Sequence, residues 1–190
     1  KFDREKINAI TIKNAEGTIE LRQKENDVWM IENPIKDRAD TMIVNGLFTT
    51  AEFLKAEEVL GADKPVEKDQ LKEFGLANSE TKVSFAGNDK PVELLFGKDT
   101  AVEGKLYVKL ADDKRVFVIA NELKNQISKK VDQFRDRRLS ELTTAQINKA
   151  VIKTAAGDIE LAKKNDHWSL TKPFQARGDD AKIGDLLSQV

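Results

Sequence analysis

Asp40 and Asp179, Trp29 and Trp168, and the lone histidine His167 are the residues of this chain whose types could do chemistry. Two carboxyl groups flanking a scissile bond are the machinery of glycoside hydrolysis, one supplying a proton and the other acting as base or nucleophile. Exposed indole faces make good platforms for the C–H groups of sugars. His167 stands beside Asn165 and Asp166 and suggests a ligand cluster, but a metal site needs a second ligand at helical or hairpin spacing, and none is apparent. The absence of cysteine excludes thiol nucleophiles, disulfides and the usual cysteine zinc sites. Gly-x-Ser-x-Gly, a glycine-rich phosphate loop and a Ser/His/Asp set are not apparent either. Between Asn121 and Arg138 six basic residues, Lys124, Lys129, Lys130, Arg135, Arg137 and Arg138, outnumber Glu122, Asp132 and Asp136. That excess could meet lipid phosphates or an acidic partner, and these six are the candidate partner-contact residues. A solvated face with internal ion pairs is the plainer reading, and an arginine fork bridging two parts of the fold would account for Arg135 and Arg137.

Spacing changes the reading of the acids and tryptophans. Ile7-Asn8, Ile12-Lys13, Gly17, Ile19-Glu20-Leu21 and Lys24 recur 140 positions later as Ile147-Asn148, Ile152-Lys153, Gly157, Ile159-Glu160-Leu161 and Lys164. One residue then drops out, and at an offset of 139 Trp29, Pro34, Asp40 and Leu47 match Trp168, Pro173, Asp179 and Leu186. Self-similarity of this kind marks a repeated structural unit. Trp29, Pro34, Asp40, Trp168, Pro173 and Asp179 are therefore expected to serve folding. The tryptophans share a strand face with Ile31 and Leu170 and are expected in cores. The aspartates precede apolar helical periods and are expected to be N-caps. His167 and Ser169 stand where the first copy has Val28 and Met30, so this face is expected to be covered in the first copy and wet in the second, with His167 an ordinary surface residue.

The elements follow from hydrophobic period. Ile10 and Ile12, Ile19 and Leu21, and Trp29 and Ile31 alternate with polar residues, as in strands with one buried face, and turn chemistry lies between them. Ile43, Val44, Leu47, Phe48, Ala51 and Leu54 then recur at three and four residues, giving one apolar helix face. The second copy repeats this β-β-β-α scheme. Between the copies, Asp69 to Phe74 reads as a short helix stopped by Gly75. Strands follow around Val83–Phe85, Val92–Phe96, Leu106–Leu110 and Val116–Ile119, and then a helix from an Asn121 cap to about Val131. The expected fold is α+β, with mainly antiparallel sheets and two repeated β-β-β-α units, residues 1–60 and 141–190, flanking a central β-rich segment, residues 61–140.

The 190 residues carry 32 basic and 33 acidic side chains and are 39% hydrophobic. That composition builds a core, and a net charge of −1 gives no general attraction to nucleic acid or anionic membrane. No run approaches a membrane helix. The chain opens on Lys1-Phe2-Asp3 and stops within the apolar pattern Leu186–Val190, which reads as a piece of a longer protein truncated in its second repeat.

The order of Trp-x-Ile-x-x-Pro with an Asp-capped helix, Phe74-Gly75-Leu76, Leu95-Phe96-Gly97, Tyr107-Val108, Val116-Phe117-Val118, Arg135-Asp136-Arg137-Arg138-Leu139 and a second Trp-x-Leu-x-x-Pro resembles a bacterial family, domain of unknown function 4340. The resemblance covers nearly the whole chain. It implies an N-terminal membrane anchor, absent from this sequence, a domain outside the cytoplasm, and frequent association with ABC-type export or gliding-type systems. It supplies no catalytic residues and no cofactor. The expectation is a non-enzymatic scaffold or interaction domain with a protein partner in a membrane complex and no nucleic acid. A module binding envelope polysaccharide and a hydrolase with catalytic residues elsewhere are the alternatives.

Overall fold

The computed structural model describes residues 3–87, 89–138 and 143–188. The chain divides into two compact units, residues 1–136 and 137–190. In the first, β1 (Ile7–Asn14), β2 (Gly17–Gln23), β3 (Trp29–Asn33) and the two-residue β4 (Asp37–Arg38) lead into α1 (Thr41–Glu52). Then come β5 (Glu58–Leu60), α2 (Lys68–Glu73), β6 (Thr81–Gly87), β7 (Val92–Asp99), β8 (Lys105–Leu110), β9 (Val116–Ala120) and α3 (Glu122–Ile127). All its strands form one sheet in the order β4-β3-β2-β1-β6-β7-β8-β9-β5, and the neighbours are antiparallel. The fold is thus α+β with antiparallel sheets. Residues 1–60 and the central strands share that sheet, because β1 is bonded to β6 and β5 to β9.

Register explains the core. Ile10 lies between Leu21 and Phe85, and Ile12 between Ile19 and Val83, so one face of the sheet is apolar across adjacent strands. Val44, Leu47 and Phe48 of α1 and Leu123 and Ile127 of α3 are buried in the same unit. The Phe48 ring meets Trp29 at 5.5 Å and Phe85 at 6.1 Å between centroids.

Besides the two-residue strands β4 and β13, which the β-β-β-α scheme did not include, α3 and β5 differ from the sequence expectation. α3 ends at Ile127, not near Val131, because the carbonyls of Ile127 and Lys129 accept hydrogen bonds from the Asn14 amide (2.6 and 3.2 Å). Asn121 occupies the N-cap position, yet its side chain accepts from Asn125 Nδ2 (3.2 Å) and caps no backbone N–H. β5 was not expected. Three residues are too short to show a period, and pairing with β9 defines the strand.

The second unit contains β10 (Lys149–Thr154), β11 (Gly157–Lys164), β12 (His167–Lys172), β13 (Ala176–Arg177) and α4 (Asp180–Ser188), in a four-stranded sheet of that order. Its internal geometry follows β1 to α1 closely. Ile10↔Leu21 becomes Ala150↔Leu161, and the bulge at Glu20/Leu21 recurs at Glu160/Leu161. The peptides before Pro34 and Pro173 are both cis. Gly17 and Gly157 both take φ +126°, a turn conformation that side chains resist. Leu161, Trp168 and Ile183 form its buried centre.

Candidate functional site: an apolar groove on the long sheet

The structure buries both tryptophans and sets both aspartates at helix starts. Trp29 is 4% exposed and Trp168 5%, so neither indole offers a face to a sugar. Asp40 caps α1 by accepting from the N–H groups of Met42 (2.8 Å) and Ile43 (3.3 Å). Asp179 caps α4 by accepting from Ala181 and Lys182, both at 3.2 Å. Each aspartate is committed to its own helix start, which accounts for their matched positions without an acid pair. His167 is exposed and its Nδ1 lies 2.9 Å from Asp180 Oδ2, while Asp180 Oδ1 accepts from Trp168 N–H (2.6 Å). Those two contacts hold the Asp180 carboxyl below its ordinary range, the His167 bond being the larger cause.

The basic segment is partly spoken for. Lys124 bonds Asp99 (3.1 Å) and the Gly97 carbonyl (3.3 Å), and Lys130 reaches Glu16 at 3.9 Å. Lys129 is half-buried. Arg135 donates to Asp37 (2.6 Å) and reaches Asp132 (3.5 Å). The expected fork between repeats is, at Arg135, a clamp inside the first unit, because the Ala39–Arg135 bridge and the bond from Asp40 N–H to Phe134 O lay this segment beside β4. Arg137 and Arg138 fall in the second unit, and neither is without a partner. Leu139, the last residue of that motif, lies outside the described residues.

What the sequence did not single out is a groove of about 610 Å³ in the first unit. Its floor is Phe85, Val92, Leu94, Val108, Leu110, Phe117 and Ile119, the core-side residues of β6 to β9, and Ala51 and Leu54 at the end of α1 form a wall. The register places these side chains on one face, since Phe85 opposes Val92, Leu94 opposes Leu110 and Val108 opposes Phe117. Size explains the opening. Nine strands at roughly 4.8 Å spacing span on the order of 40 Å, whereas the 12-residue α1 is about 18 Å long and α3 about half that. The two helices cannot cover the whole face.

The rim is charged but balanced. Lys90 pairs with Asp112 (2.8 Å), whereas the Lys82–Glu93 pair (3.0 Å) belongs to the opposite face of the sheet. Arg115 grips Asp113 with Nε (3.0 Å) and Nη2 (2.6 Å) and lays its guanidinium 5.2 Å from the Phe117 centroid. That fork, with the Arg115 N–H, lowers the Asp113 carboxyl to about 2, fixing it as an anion. Glu32, Asp37, Glu160 and Asp180 are likewise shifted down by cationic or N–H partners. A glycosidase acid requires the opposite shift. Among the described residues no group of three or more His, Cys, Asp or Glu is placed to hold a metal ion. No described helix is long and apolar enough to cross a membrane.

An antiparallel α+β domain with a half-covered sheet defines a class by architecture alone. The model of the family described as domain of unknown function (DUF4340) matches residues 29–190, and the chain belongs to that family. No curated protein and no solved structure matches it.

Proposed function

We propose that this chain is a non-enzymatic interaction domain of a membrane-anchored, extracytoplasmic bacterial protein, accessory to an ABC-type export system, and that the groove seats apolar side chains of a protein partner. The observation that carries the reading is the groove itself: a concave apolar floor whose rim residues Lys90, Asp112 and Asp113 are already paired. Apolar surface of this kind gains free energy when covered, at about 25 cal/mol per Å² removed from water. Paired rim charges bring little net attraction of their own, so they set register more than affinity. The basic residues Lys124, Lys129, Lys130 and Arg135 of the first unit are candidates for electrostatic contact with the partner, as are, separately, Arg137 and Arg138 of the second. The membrane setting and the export system rest on the family resemblance.

The test is affinity capture of the full-length protein from native membranes, comparing wild type with Val92→Glu and Leu110→Glu. Transporter subunits should co-purify with wild type and be lost from both variants, while circular dichroism shows the variants folded. Unchanged capture by folded variants, or cleavage of an envelope glycan by the purified protein, overturns the reading.

A further inference from the structure

The second unit reproduces the first unit's geometry but not its burial. Ile10, Ile12 and Ile31 are fully buried, whereas their counterparts Ala150, Ile152 and Leu170 are only partly so. Leu47 on α1 is 0% exposed, and Leu186 at the same place on α4 is 43% exposed. Leu187, the counterpart of Phe48, is also only partly buried.

The first unit shows what fills the difference. There β1 is bonded on one side to β2 and on the other to β6, which sets Phe85 opposite Ile10 and Val83 opposite Ile12. α3 adds Leu123 and Ile127, and its end is pinned to β1 through the Asn14 amide. In the second unit β10 is bonded to β11, and among the described strands nothing pairs with its other edge. Thr154, at the position of Asn14, turns its hydroxyl to local partners, the Gly157 carbonyl and the Ala156 N–H. Val151 on this edge strand is 46% exposed. An edge with unpaired N–H and C=O groups beside half-covered apolar side chains is a template for one more strand.

We infer that the outer edge of β10 is completed by an antiparallel strand of the same polypeptide, downstream of α4, which takes the part of β6 and sets two bulky apolar side chains opposite Ala150 and Ile152. The first unit favours this source over a second copy of the chain. In the first unit the filling strand comes from the same chain, beginning 29 residues after α1 ends (81 − 52). The smaller Ala150, where the first unit has Ile10, leaves room for a large partner. The inference does not depend on the groove or on the role proposed for it.

The test reads the gene's open reading frame past the codon for Val190 and compares the longer chain with the 190-residue chain by hydrogen exchange. The amides of residues 149–154 should exchange about 100-fold or more slowly in the longer chain, as expected when an edge becomes an interior strand. As a second readout, Leu186→Asp should lower the thermal midpoint of the longer chain clearly and that of the 190-residue chain hardly at all. A reading frame that stops shortly after the codon for Val190 overturns the inference. So does equal exchange of residues 149–154 in the two chains, or protection in the 190-residue chain that rises with protein concentration, which would identify a second copy as the occupant.

Discussion

Asn14 is a polar residue among the buried side chains of the first unit, and its amide is fully used. It donates to the Ile127 and Lys129 carbonyls and accepts from Glu16 N–H (2.9 Å), so one side chain ends β1, shapes a turn and stops α3. Asn14→Ala should cost about 1–3 kcal/mol in chemical denaturation, the penalty for buried carbonyls left without a donor. A loss under half a kcal/mol would show that water replaces the amide. Trp29→Ala should cost ~3–5 kcal/mol, because a large aromatic packed on Phe48 leaves a cavity. Asp40→Ala, removing two cap bonds, should cost on the order of 1 kcal/mol. The Asp113 carboxyl gives a pH signature. Its folded value of about 2 lies below the ordinary 3.8, so the Arg115 pair stabilises fully above pH 4 and loses its effect as pH falls toward 2. Asp113→Asn should therefore flatten the acid side of the stability curve in that window, and an unchanged slope would refute the pairing in solution.

At the scale of elements, close backbone approach carries as much information as apolar pattern. Phe74 caps the C-terminus of α2, Gly75 takes φ +73°, and the Phe74 carbonyl accepts from Lys98 N–H at 2.8 Å. A Cβ on Gly97 would stand 2.2 Å from that carbonyl, so Gly97→Ala should destabilise by about 1–3 kcal/mol. Proteolysis near Lys98 should quicken in step, and an unaffected variant would mean that the α2 junction is loose. The sequence pieces Phe74-Gly75-Leu76 and Leu95-Phe96-Gly97 were legible as marks of the family, but their contact was not, since period reports local structure and not which distant turns touch. For the same reason the strands and the caps Asp40 and Asp179 could be read from spacing, whereas the β1–β6 pairing and the β5 strand could not. The groove was hidden more deeply. Val92, Leu94, Leu110 and Phe117 look like any core residues, and what exposes them is the shortness of α1 and α3 relative to the sheet.

At the scale of the molecule the two units have very different means of staying folded. The first buries a continuous core from Ile7 to Phe134, while the second has three buried apolar residues among its described positions. A domain near 60 residues buries only about 60% of the surface its unfolded chain exposes and is marginal on its own. The second unit of the 190-residue chain should therefore unfold at lower denaturant than the first. Nature has supplied the probe, since Trp29 reports on one buried centre and Trp168 on the other. In single-tryptophan variants, Trp168→Phe and Trp29→Phe, fluorescence should give two separate midpoints, with that of Trp168 the lower. Each conservative replacement weakens the unit whose reporter it removes, so the comparison is made on the unit left intact. Coincident transitions would mean that the units unfold as one cooperative body. If β10 gains its missing strand in a longer chain, the Trp168 transition should move up in denaturant while the Trp29 transition stays in place.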